Sequence, residues 1–391
     1  MRWIIFLIFV GVLMYTAGCE PVENFDSDNT QIESDVGAAI AVEFDRFVAE
    51  MTQEAEIPGT AVALIYEDEL VLLKGYGFRD IEEQLPVTSD TLFHIASTQK
   101  SMTAMLVATL VDEGVVDWET PLVEIAPDFT LGNGGDSINL RHLLSMSSGI
   151  PDTAEDEFYD RGYEETAFSM WPLLASTEPL GAPGEVYSYS NISSSMAGYA
   201  AVLALNPDSA DLDAAYGDLL FERVIRPIGM ETAVFSVDDA RKSPHYGKSY
   251  ELDGTDLVEA ASYDMAGETL TPSGVLKVSA SDMALYIQTQ LNQGVAPNGQ
   301  RIVSAENMTA MWEPQIMDED EEWYALGWGG TEYEGVTLVY HEGSYDNYES
   351  VIGFVPELAL GFVVLTNASD VATDLIGDAP WFLVDTVLDS Q

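Results

Sequence analysis

One cysteine, five lysines and a single long apolar run set the first limits on this 391-residue chain. With Cys19 alone, no intramolecular disulfide is possible and no cysteine-rich zinc site can be built. The lysines are Lys74, Lys100, Lys242, Lys248 and Lys277, and 14 Lys and Arg face 67 Asp and Glu, a formal net charge of −53. A surface this negative repels phosphate backbones and anionic lipid, which excludes nucleic-acid binding. Missing too are a GxSxG nucleophile elbow, a zinc-binding HExxH, a phosphate-cradling GxxxxGK loop and a calcium-loop DxDxDG spacing. What is present is apolar mass: 47% of residues are hydrophobic, enough for a sizeable core in spite of the charge.

Lysine depletion beside carboxylate enrichment reads as solvent adaptation, the pattern of a protein kept soluble in concentrated salt. Added salt screens carboxylate repulsion, so the melting temperature is expected to rise from low to molar salt. A thermal melt at a series of salt concentrations checks this, and a steady fall would contradict it. The competing use of the acidity is the binding of cations or basic partners.

The first residues read as a targeting segment. Arg2 supplies a positive start, Trp3 to Tyr15 is unbroken and apolar, and the run is short against the ~20 residues of a membrane span. Thr16-Ala17-Gly18-Cys19 then resembles a bacterial lipobox, with Thr16 where Leu is usual and Cys19 as the lipidation site. Residues 1–19 are therefore assigned as a lipoprotein-type signal peptide, 20–35 as an acidic tether, and 36–391 as one domain. The expected location is the cell envelope, reached by export and held by lipid, at the periplasm or cell surface.

Periodicity predicts an amphipathic helix over 35–55, from Ile40, Phe44, Phe47, Val48 and Met51. Runs at 60–66 and 70–76 read as a hairpin, residues 98–111 as a helix stopped by Gly114, and 192–203 as another helix. Three β-rich runs, 336–341, 350–355 and 360–365, precede a short helix within 371–388. Strands at both ends with helices between them imply an α+β fold: one antiparallel sheet from both termini, flanked by helices, with a helical subdomain across an edge. A cleft between the two parts is the natural site.

Three clusters carry chemistry. Ser97 and Lys100 stand three apart at a helix start, so both face one way and the lysine reaches the hydroxyl. A base must take the serine proton, and burial turns a lysine into one. The bland alternative makes Ser97 a helix cap and Lys100 a solvated charge. Tyr189-Ser190-Asn191 offers a phenol whose pKa a nearby ammonium would lower, and an amide that orients lysine and substrate. His341-Glu342-Gly343-Ser344 sits at a strand end, with His341 and Gly343 on one face and Glu342 on the other. Gly343 lets a ligand approach the backbone, and the N–H groups of Ser344 and Ser97 form a candidate oxyanion hole. His94 and His142 read as structural, and Met102, Met105, Leu106 and Leu110 as one apolar helix face.

The order Ser97-x-x-Lys100, Tyr189-x-Asn191, His341-x-Gly343 resembles the SxxK, YxN and KTG (or HxG) motifs of the serine β-lactamases and penicillin-binding proteins, most closely class C enzymes and their esterase and D-peptidase relatives. Phe93-His94-Ile95-Ala96, Pro183-Gly184-Glu185 and Leu365-Thr366-Asn367 extend the likeness over roughly residues 40 to 370. The resemblance implies a β-lactamase/transpeptidase-like fold, an acyl-enzyme on Ser97, proton transfer by Lys100 and Tyr189 with the principal base left open, positioning by Asn191, and no metal or cofactor. It implies an ester, amide or peptide as partner. His341 and Glu342 replace the lysine and threonine of KTG, which weakens a site for a substrate carboxylate and favours an esterase or D-amino-acid peptidase over a true β-lactamase. A non-catalytic lipoprotein binding cell-wall peptides is the reading from another class.

Overall fold

A computed structural model describes residues 28–132, 135–160, 166–260, 270–318 and 322–390. The targeting segment, with Cys19, lies outside them. Helix α1 (Asp28–Glu54) takes in residues 28–35, which composition had placed in the tether. Among the described residues, no helix is long and apolar enough to cross a membrane.

Nine strands make one antiparallel sheet: β1 (Gly59–Tyr66), β2 (Glu69–Asp80), β3 (Leu85–Pro86), β4 (Ile316–Met317), β5 (Trp323–Tyr324), β6 (Gly329–Tyr333), β7 (Val336–Tyr345), β8 (Tyr348–Val355) and β9 (Leu360–Thr366). Their spatial order is β3-β2-β1-β9-β8-β7-β6-β5-β4, so the two ends of the chain meet where β1 pairs with β9. The short β4, β5 and β6 escaped the sequence pattern, since two to five residues display no clear alternation. Two-residue turns at Glu67-Asp68 and Asp346-Asn347 have positive φ throughout (49°, 67°, 52° and 62°), the backbone that tight hairpins need.

Every residue of β1 and β9 is buried, because helices cover both faces of the sheet. On one face α1 and the C-terminal helix α6 (Ser369–Asp389) pack on β1 and β9, with Phe44, Leu64, Phe362 and Leu383 in the contact. On the other lie α2 (Gln99–Asp112) and α5 (Ala280–Leu291). The helical region in the middle of the chain includes α3 (Thr153–Asp160) and α4 (Asn191–Leu205).

Helix α2 departs from the single apolar face expected of it: it is buried all round from Gln99 to Leu110. It runs between sheet and helical region, so its polar residues need internal partners. Ser101 donates to the Thr98 carbonyl and accepts from Tyr286; Thr103 meets the Tyr216 hydroxyl at 2.6 Å. A lysine placed on such a helix is held away from water by the fold itself.

Candidate active site

Ser97 sits in a short 3-10 turn (Ala96–Thr98) feeding α2, and it caps nothing. Ala96 has φ 47°, in the left-handed region that costs a Cβ-bearing residue energy, and its N–H donates to Nδ1 of the buried His94 at 3.1 Å. Burial, then the Lys277 charge, hold the His94 pKa well below its ordinary value, so a neutral ring accepts that bond. His94 is thus structural with a purpose: it fixes the turn that presents Ser97. His142 is structural too, closing a capping box with Asn139.

Lys100 Nζ lies 2.8 Å from Ser97 Oγ, 2.5 Å from Asn191 Oδ1 and 2.9 Å from the Ser273 carbonyl. The residue is 0% exposed. Desolvation therefore pulls its pKa down to about 7, opposed only in part by the charge of Glu155. A neutral amine has two N–H donors and one lone pair. With the two donors used on Asn191 and Ser273, the lone pair is left for the Ser97 proton.

Asn191 is held in turn. Its Nδ2 donates to Glu155 Oε1 at 2.7 Å and its backbone N–H to Oε2 at 3.3 Å, while Ser190, not Asn191, caps α4. Glu155 on α3 and Gln99 on α2 are the positioning residues that sequence reasoning missed. Gln99 Oε1 accepts from the N–H groups of Val275 and Leu276, each at 2.8 Å, and its Nε2 donates to the Thr271 carbonyl at 2.7 Å, anchoring the loop that supplies the Ser273 carbonyl. Glu155 lies outside the motifs and Gln99 is an unspecified position within Ser97-x-x-Lys100, so only the fold reveals their roles.

Tyr189 is hydrogen-bonded to Ser97, and Lys100 Nζ lies 4.9 Å from its ring centroid. The lowered phenol pKa expected beside an ammonium is not found: burial raises it, outweighing the Ser97 hydrogen bond. The reason lies in Lys100, which near neutrality is only partly the cation that was to do the lowering.

Strand β7 continues through Tyr345, past the end expected at His341, and brings His341, Gly343 and Ser344 beside Ser97. His341 and Gly343 are buried and Glu342 and Ser344 exposed, as alternation requires. His341 Nδ1 contacts the Glu342 carbonyl at 2.5 Å; a carbonyl only accepts, so Nδ1 carries the proton. Nε2 then accepts from the Tyr324 hydroxyl at 2.8 Å. Burial, reinforced by Lys100, brings the His341 pKa to about 3, so the ring is neutral, beyond the partial charge expected of it. At Gly343 an added Cβ would lie 2.5 Å from the Ile95 carbonyl oxygen and 2.9 Å from the Ser97 nitrogen. Only glycine lets the strand backbone come this close to the Ser97 amide.

A cleft of about 460 Å³ opens over Ser97, Tyr189, Asn191 and β7. Sheet, helical region and the Ser–Lys–Asn cluster between them define the β-lactamase/transpeptidase class of proteins. The Beta-lactamase family model matches residues 44–381, and the chain belongs to that family. It is 26% identical over 328 residues to Protein flp of Staphylococcus aureus strain MW2, covering 83% of this chain and 62% of that protein, so it spans under two thirds of that relative's length. It is 28% identical over 386 residues to Unguisins hydrolase ungD' of Aspergillus campestris strain IBT 28561, covering 91% of this chain and 67% of that one. The octameric penicillin-binding protein homologue from Pyrococcus abyssi superposes with a TM-score of 0.74 at 26% identity, covering 88% of this chain and 77% of the other.

Proposed function

We propose that this chain is a serine hydrolase that cleaves an ester or amide through an acyl-enzyme on Ser97. The observation carrying the reading is the contact between Ser97 Oγ and a lysine that burial has brought to a pKa of about 7. A binding protein has no use for a lysine kept half neutral at such cost.

Lys100 is assigned as the principal base. Its lone pair takes the Ser97 proton as Oγ attacks the carbonyl carbon, and the N–H groups of Ser97 and Ser344 hold the oxyanion. Tyr189, kept protonated by burial, gives its proton to the leaving oxygen or nitrogen and regains one from Lys100. Water then attacks the acyl carbon, its proton passes to Lys100 and on to Ser97 Oγ as the acyl C–O bond breaks, and the acid leaves with Ser97 and a neutral Lys100 restored. Asn191, clamped by Glu155, keeps the lysine aimed.

An esterase or a peptidase acting on D-amino-acid peptides fits better than a true β-lactamase, because the neutral His341 offers no fixed charge to a substrate carboxylate. Export and lipid attachment at Cys19 belong to the same proposal and rest on the N-terminal sequence alone.

The test is a burst experiment with an activated neutral ester. About one equivalent of phenol per chain is expected in the first turnover, with mass spectrometry placing the acyl group on the peptide that contains Ser97. A steady rate with no adduct, or an adduct elsewhere, would refute the assignment.

A further inference from the structure

We propose that Glu155 is the counter-ion of Lys100: coupled to the lysine through the Asn191 amide, its charge stabilises the ammonium formed when Lys100 takes the Ser97 proton, and so sets the pH range in which the enzyme works. The inference rests on the hydrolase reading. It gives the base an electrostatic partner, beyond the clamp on Asn191.

The three groups form one line. Glu155 on α3 is half-buried and gives both carboxylate oxygens to Asn191, Oε1 to the side-chain amide at 2.7 Å and Oε2 to the backbone N–H at 3.3 Å. A charged carboxylate only accepts, so it draws the nitrogen end of the amide to itself. The oxygen end is thereby turned to Lys100 Nζ, 2.5 Å away. The amide dipole lies between a negative group and one that becomes positive, aligned with both.

Lys100 needs such a partner in its charged state above all. Protonated, it carries three donors at a place where it is 0% exposed, and desolvation penalises the charge. Its other neighbours bring no negative charge. Ser273 offers a carbonyl, Tyr189 a ring whose centroid lies 4.9 Å away and a phenol that stays protonated, and His341 on β7 a neutral ring. Among the described residues, Glu155 is the carboxylate whose charge acts on Lys100, against the desolvation. It stands behind Asn191 and is not among the described residues lining the cleft, so it reaches the reaction through the lysine, as a positioning residue.

Two substitutions separate charge from contact. Glu155→Gln keeps a carbonyl for the Asn191 amide and removes the charge; Glu155→Asp keeps the charge and shortens the reach. For each, kcat/KM with a neutral activated ester is measured against pH at fixed salt. The titration of Lys100 itself is followed by NMR of protein carrying ε-13C-lysine, in which Lys100→Met assigns one signal among five. In the wild type both midpoints are expected near pH 7. In Glu155→Gln both should fall by about one pH unit or more, the effect of a lost opposite charge. The plateau rate should fall by up to about tenfold, because a weaker base takes the proton more slowly. In Glu155→Asp both midpoints should lie near the wild-type value. Midpoints that stay at the wild-type value in Glu155→Gln, or fall as far in Glu155→Asp as in Glu155→Gln, overturn the proposal and leave Glu155 a clamp alone. If no ester is turned over with dependence on Ser97, it is the hydrolase reading that falls, and the NMR midpoints by themselves decide whether Glu155 governs the charge of Lys100.

Discussion

Ser97→Ala and Lys100→Met are each expected to lower kcat/KM for an activated ester by about four orders of magnitude, and the double variant to fall no further. The near-identity of the three losses is the informative part. Ser97 Oγ and Lys100 Nζ are 2.8 Å apart and perform one act, transfer of a proton during attack, so removing either partner removes the act. Four orders of magnitude correspond to about 5.5 kcal/mol of transition-state stabilisation, within what a nucleophile and its base supply together. The wild-type pH profile carries the same assignment. Lys100 must be neutral to accept the proton, and desolvation sets its pKa at about 7. Activity should therefore rise with pH through an apparent pKa near that value and be lost below it. Tyr189 contributes no rising limb there, since burial keeps its phenol protonated across the range. Stopped-flow kinetics with a neutral ester, whose charge does not change with pH, isolate the enzyme's own titration. A flat profile, or a double variant far below both singles, would dissolve the Ser97–Lys100 unit.

Gly343→Ala has the second largest expected effect, although it adds a single methyl group and no charge. The new Cβ would meet the Ile95 carbonyl oxygen at 2.5 Å, Ser350 Oγ at 2.7 Å and the Ser97 nitrogen at 2.9 Å. Two of these are backbone atoms in the turn that presents Ser97, and Ser350 Oγ itself donates to the Ile95 carbonyl at 2.8 Å. Nothing here is the free end of a flexible side chain, so β7 and the Ser97 turn must move apart. The motion separates the two proposed oxyanion donors, on Ser97 and Ser344. A displacement of ~1 Å at a reacting centre costs about 100-fold in rate. Overpacking itself costs ~1–3 kcal/mol of stability. Kinetics and a thermal melt on the same preparation check both, and wild-type turnover in Gly343→Ala would show that this close approach has no part in catalysis.

The three motifs were legible in the sequence because residue spacing and strand alternation are local properties. Ser97 and Lys100 fall on one helical face, and His341 and Gly343 share one side of β7. The same holds for the long elements: β1, β7, β8, β9 and helices α2, α4 and α6 all grow from runs that the apolar pattern displays. Their boundaries moved where the pattern is silent, as at residues 28–35 and beyond His341.

By itself the sequence determined the α+β sheet from both termini, the lone cysteine, the extreme negative charge and the residue types that meet around Ser97. Only the tertiary structure decided their protonation. On paper Lys100 is a base only if burial lowers its pKa, and otherwise a solvated charge; enclosure of α2 on all sides brings that pKa to about 7. Tyr189 reads as a phenol awaiting an ammonium, and burial makes it a proton donor instead. His341 reads as a weak positive charge, and burial, reinforced by Lys100, leaves it neutral. Glu155 and Gln99 were invisible, because they act across 36 and more than 170 residues of chain. The physical reason is common to all: spacing is a property of neighbours along the chain, whereas desolvation and hydrogen bonding depend on which distant segments close over a group.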